Sequence, residues 1–123
     1  MSDIRTYRDL LVWQKGIALV TLLYQETKSF PREEVYGLTS QMRRCAVSIP
    51  SNIAEGHGRS TRKEYLRYLE VALGSLRELQ TQIVIARNLQ FLDADAHSKL
   101  SNLTLELERM LTSLQRSLRK STC

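Results

Sequence analysis

The side chains best suited to metal or nucleophilic chemistry are few in this 123-residue sequence: two histidines and two cysteines. They do not converge. No H-x-x-x-H, C-x-x-C or Glu-x-x-His occurs, so the ligand sets of a zinc site and of a carboxylate-bridged di-iron bundle are missing. Some helical-bundle RNases place an arginine closely before a histidine. Here Arg44 precedes His57 by 13 residues and Arg87 precedes His97 by 10. His57 reads as a loop residue and His97 as a first-turn helix residue, and nothing resembles a nucleophile elbow. Cys45 lies in a helical pattern and is expected as a buried thiol, whereas Cys123 reads as a frayed terminal one. No catalytic residue, metal or cofactor is expected.

Phosphate binding has more to stand on. Gly56-His57-Gly58-Arg59-Ser60-Thr61-Arg62-Lys63 sets glycines, hydroxyls and cations at the start of a helix. Free backbone N–H groups and the helix dipole favour an anion there. The spacing is not that of a Walker loop. Arg67 follows Lys63 by one turn, and Arg43 and Arg44 lie on the adjoining helix. A second cluster, Arg109, Arg116, Arg119 and Lys120, has no acid after Glu108. The candidate nucleic-acid contacts are therefore Arg43, Arg44, Arg59, Arg62, Lys63, Arg67, Arg116, Arg119 and Lys120. An ordinary capping loop and dipole-complementing cations account for the same residues. The pattern of aromatic stacking residues typical of single-strand platforms is not interleaved with these charges, so no sequence readout is expected.

Four helices must carry these groups. Glycine and proline together supply only 7 residues, Leu supplies 20 and aromatics 8, while 42% of the chain is apolar. That composition argues against sandwiches, barrels and doubly wound sheets. Leu10, Trp13, Ile17, Val20 and Tyr24 mark helix 1, about 8–28, which ends before Pro31. Thr39 is the expected N-cap of helix 2, about 39–56, with Leu38, Met42, Cys45, Ile49 and Ile53 as its stripe and a kink at Pro50. Thr61 and Glu64 form a capping box for helix 3, about 61–89, whose heptad stripe is Tyr65, Leu69, Ala72, Leu76, Leu79, Ile83 and Ala86. Asp93 caps helix 4, about 93–119, with Leu100, Leu103, Leu107, Met110, Leu114 and Leu118 facing inward. Short connections make this an all-α, antiparallel up-down-up-down four-helix bundle in one domain. Helices 3 and 4 are longer than their partners, so Phe30, Val35, Tyr36 and Leu38 are expected to lie over the exposed hairpin as a lid.

Helix 1 is too apolar for one bundle. Of the 15 residues from Leu10 to Tyr24, 11 are apolar, whereas a bundle helix needs an arc of little over about 100°. Ile83–Ala86 and Leu103/Leu105 repeat the excess. A homo-oligomer is expected, with Leu11, Ala18, Leu22, Val84, Ile85 and Leu105 at its interface. The net charge of +5 would then multiply on assembly and suit a polyanion. No stretch approaches a membrane span and the start MSDIRTYRD resembles no secretory signal, so a cytoplasmic protein is expected.

The segments YRDLLVWQKGIALV (7–20), FPREEVYGLTSQMRRCAVSIPSNIAEGHGR (30–59) and EYLRYLEVALGSLRELQTQI (64–83) closely resemble a bacterial four-helix-bundle family. That family is named for reading frames inside 23S rRNA intervening sequences. The likeness covers about 7–118, and YGLTSQ-x-RR and SIPSNIAEG are its most specific parts. The resemblance implies a ring-like homopentamer without established catalytic residues. It also implies a distant relation to the accessory protein of diversity-generating retroelements, a basic pentamer that binds nucleic acid and a reverse transcriptase. Two functions follow as expectations: an oligomeric RNA or DNA binder, or a scaffold whose partner is another protein.

Overall fold

The computed structural model describes residues 4–120; Cys123 lies outside them. Four helices, α1 (Leu11–Thr27), α2 (Leu38–His57), α3 (Arg62–Asn88) and α4 (Ala94–Lys120), pack in antiparallel succession. Each touches its sequence neighbours and α1 closes the ring against α4, while the diagonal pairs stay apart. One end of the bundle, the connector end, carries the 28–37 and 89–93 connections. The tail end carries the 58–61 loop and the outer ends of α1 and α4.

Local chemistry sets the boundaries. Helix 1 does not begin at residue 8: Tyr7–Asp9 form a separate 3-10 turn. Asp9 Oδ2 accepts from the N–H groups of Arg5 (2.9 Å) and Thr6 (3.2 Å), and Thr6 Oγ1 accepts from Arg8 N–H. Extended Leu10 then restarts the chain into α1. The N-cap of α2 is Gly37, not Thr39. The Glu34 carboxylate accepts the Leu38 N–H at 3.0 Å from outside the helix, which moves Thr39 into the buried first turn. For α3, Thr61 Oγ1 accepts from Glu64 N–H and donates to the Glu64 carboxylate, both at 3.1 Å. Asp93 Oδ1 accepts from Ala96 N–H at 2.8 Å to start α4.

The end of α3 is held by a motif that lacks its usual glycine. Gln90 takes a left-handed φ of 64°. Phe91 N–H reaches back to the Ala86 carbonyl, and Gln90 N–H to that of Arg87. These are the paired bonds of a Schellman cap. Phe91 then packs on Phe30, ring centroids 5.4 Å apart. Phe30 thus covers the hairpin as a lid should, with half-buried Leu38 packed against the core beside it. Val35 and Tyr36 do not: Tyr36 is 93% exposed.

Leu69, Ala72, Leu76, Leu79, Ile83 and Ala86 bury as their heptad spacing requires, and so do Met42, Cys45, Ile49 and Ile53. In α1 the buried face is Val12, Gly16, Leu19, Leu23 and Thr27, rotated from the stripe expected at Leu10, Trp13, Ile17, Val20 and Tyr24. Contact with α2 selects it. A Cβ on Gly16 would stand 3.3 Å from Pro50 Cβ, so the glycine admits the proline ring. In α4, Thr104, Leu111 and Gln115 join Leu100 and Leu107 inside, while Leu103, Met110, Leu114 and Leu118 flank the core. Helix α2 runs unbroken through Pro50. The missing N–H leaves the Ala46 carbonyl without its usual donor, the local cause of a kink.

Candidate nucleic-acid interface

The register of α3 against α4 decides which cations meet. Glu108 on α4 receives Gln80 Nε2 at 3.0 Å and the Arg77 guanidinium at 3.7 Å, both from α3. Ten residues back along α3 from Arg77 stands Arg67; ten residues on from Glu108 stands Leu118. Antiparallel helices with equal rise therefore set Arg67 level with Arg116, Arg119 and Lys120. Arg62 and Lys63 extend the same edge to the tail end. Arg62, Lys63, Arg67 and Arg116 are exposed, and none forms an ion pair with a carboxylate among the described residues.

Arg59 is differently employed. Its Nη2 donates to Tyr68 Oη at 2.7 Å, its guanidinium lies 4.8 Å from that ring, and Glu55 stands 3.9 Å away. It pins the end of α2 to α3. Arg43 lies near the start of α2, 14 residues from His57, so roughly 20 Å of helix separates it from the loop. It binds α1 instead: Nε donates to Thr27 Oγ1 at 2.9 Å and the guanidinium covers the Tyr24 ring at 4.4 Å. Arg44 is exposed on the same turn. Position along the helices puts Arg62, Lys63, Arg67, Arg116, Arg119 and Lys120 at the tail end of the bundle, and Arg43 and Arg44 near its connector end.

The interface candidates divide in two. Leu11, 69% exposed, and Ala18 border a groove between α1 and α4 whose α4 wall includes Met110 and Glu106. Lys15 crosses it to Glu106 at 3.2 Å. Val84, one turn beyond Gln80, and Leu105, just before Glu108, flank the opposite α3–α4 seam, with exposed Ile85 next to Val84. Leu22 is half-buried against the core.

The remaining reactive groups serve packing. Cys45 Sγ donates to the Ser75 carbonyl at 2.8 Å. Burial, aided by the Glu78 carboxylate, pushes its pKa up to about 12. His57 packs edge-on to Tyr65 at 5.8 Å, and burial raises the Tyr65 hydroxyl pKa. His97 Nε2 lies 3.4 Å from Ser101 Oγ. Within SIPSNIAEG, Asn52 donates to the Ser48 carbonyl and hydroxyl, and Ser48 shares a 2.8 Å hydrogen bond with Ser75 of α3. Gly56 lets α2 approach α3 so closely that a Cβ there would lie 2.6 Å from Tyr68 Cβ. Arg87 donates to the Leu92 carbonyl at 2.9 Å and closes the hairpin; in the sequence only its place in the last turn of α3 signalled this. Among the described residues no group of three or more His, Cys, Asp or Glu comes together to hold a metal. No helix there is long and apolar enough to cross a membrane.

The motif segments that supply these contacts fall within residues 8–113, which match the family model for the 23S rRNA-intervening sequence protein. The chain belongs to that family. A solved structure is similar to this 23S rRNA-intervening sequence family member with a TM-score of 0.80 at 18% identity, covering 85% of this chain and 98% of the other. It is described as a protein with unknown function from the S23 ribosomal protein family of Bacteroides thetaiotaomicron VPI-5482. At that identity the likeness concerns the fold. No curated protein matches this family member's sequence.

Proposed function

We propose that the protein is a non-enzymatic, cytoplasmic subunit of a homo-oligomer, pentameric as the family resemblance implies, that binds RNA through its phosphate backbone. One observation carries this reading: the α3–α4 register levels Arg67 with Arg116, Arg119 and Lys120 and continues through Lys63 to Arg62. Cations in the first turn of α3 oppose the helix dipole. Phosphate oxygens at that edge would offset the unfavourable field and meet the free N–H groups of the first turn. Repetition around a ring would align several such edges, which suits sequence-independent binding.

The two apolar patches support the ring. A closed cyclic assembly beyond a dimer joins two different surfaces head to tail, and the α1–α4 groove and the α3–α4 seam are different surfaces. The same exposed residues also favour the second reading, a scaffold for another protein.

Salt titration separates them. Single-stranded RNA affinity should fall steeply with salt, and Arg62, Lys63 and Arg67 changed together to Ala should flatten the log–log slope by about 2. Binding that ignores salt, or an unchanged slope in the triple variant, refutes the RNA reading. Arg59 stays in place in this test because it holds α2 to α3.

A further inference from the structure

YGLTSQ-x-RR is the motif that the RNA edge leaves unexplained, and it lines a cavity at the connector end. Thr27, Lys28, Phe30, Arg32, Thr39 and Arg43 border a space of about 340 Å³ between the end of α1 and the start of α2. Three of the eight lining residues are cations, and Pro31 and Val35 complete the wall. Glu34, the acid closest to the start of α2, is held by the Leu38 N–H and is not part of the lining.

Arg43 is fixed before any ligand arrives. Its Nε is bound to Thr27 Oγ1, its Nη2 to the Tyr24 carbonyl at 3.3 Å, and Tyr24 supports the guanidinium plane. Among the described residues Nη1 has no acceptor. An arginine already oriented loses little entropy on binding an oxyanion. Thr39 gives an independent sign. The residue is only 7% exposed, yet among the described residues its hydroxyl has no hydrogen-bond partner. A buried hydroxyl without a partner costs stability, so native structures rarely keep one without a use. The N–H groups of Thr39 and Ser40, in the first turn of α2, are also without backbone acceptors.

We propose that this cavity is a phosphate site, with Arg43 as the fixed donor, Lys28 and Arg32 as charged walls, and Thr39 as the buried hydroxyl. Three cations favour a doubly charged phosphate monoester or inorganic phosphate over a singly charged diester. The site stands at the opposite end of the bundle from the RNA edge and does not rest on that reading.

Inorganic phosphate is the probe, titrated by calorimetry into the full chain against chloride at matched ionic strength. Saturable binding to one site per subunit, with a rise in melting temperature, is expected. Arg32→Gln should weaken affinity by about tenfold while the protein stays folded, because the Arg32 side chain forms no hydrogen bond or ion pair among the described residues, and its carbonyl, which accepts from Val35 N–H, is unchanged by the substitution. Thr39→Val, which removes the orphan hydroxyl, should leave the unliganded protein as stable or more so and still weaken phosphate binding. Absence of saturable binding, or equal affinity in wild type and both variants, overturns the proposal. A pair of RNA oligonucleotides with 5′-phosphate or 5′-hydroxyl ends identifies the source. Displacement of phosphate by the phosphorylated one alone assigns the site to an RNA end; displacement by neither assigns it to the free anion.

Discussion

At Cys45 the thiol points at the Ser75 carbonyl and carries a pKa raised from 9.0 to about 12. Three pH units leave about a thousandfold less thiolate than a free cysteine at neutral pH. In a Cys123→Ser background, iodoacetamide at pH 8 should therefore modify folded Cys45 far more slowly than the urea-unfolded chain; equal rates would contradict the burial. The sign of the linkage follows. The unfolded thiol loses its proton near 9.0, so the contribution of Cys45 to stability is complete below that pH and disappears as pH rises from there through 12. Tyr65, also raised by burial, acts in the same direction. Urea midpoints should fall above pH 9, and less steeply in Cys45→Ala.

At the scale of elements, three glycines inside helices predict different outcomes. A methyl on Gly56 would lie 2.6 Å from Tyr68 Cβ and 3.1 Å from Tyr65 Cδ1, so Gly56→Ala forces α2 off α3 and should destabilise by about 1–3 kcal/mol in urea melts. Gly74 has nothing within 4 Å of an added Cβ. Gly74→Ala should stabilise by about 0.5–1 kcal/mol through helix propensity alone. Gly16, against Pro50 at 3.3 Å, is tighter than ordinary contact but clear of a clash. These differences explain what the sequence could and could not disclose. Helix α3 was legible because charged and polar residues punctuate it often enough for heptad spacing to find Leu69, Ala72, Leu76, Leu79, Ile83 and Ala86, although buried Leu73 and Gln82 lie off that stripe. Helix α1 is apolar nearly all round, and period alone could not choose between faces; the fit of Gly16 to Pro50, 34 residues away in sequence, chose. The start of α2 was misread because its cap comes from a side chain, Glu34, outside the helix. The basic residues were visible as a list, but the division between the tail-end cations and a separately employed Arg43 depended on helix register and on Tyr24.

For the whole molecule, the decisive property is that exposed apolar residues border α4 on both sides, Leu11 toward α1 and Val84 with Leu105 toward α3. Wild type should scatter light as an assembly well above the 14.2 kDa subunit; a monomeric mass at micromolar concentration refutes this. Leu11→Glu and Leu105→Glu should each break the proposed ring. Mixed together they should restore a dimer, because each retains the surface that the other lacks. A self-complementary interface would give no such rescue. Trp13, the single tryptophan, lies on a third side, in the furrow with Ile17, Val20 and Val47 between α1 and α2. Tyr7 meets it edge-on at 5.2 Å and Arg8 lies 5.8 Å from its ring. Its fluorescence therefore reports on one corner of each subunit, without any attached dye. Emission that holds steady as the proposed assembly forms, and shifts red only when the Tyr7–Asp9 turn peels away, would distinguish subunit association from fraying in the same cuvette.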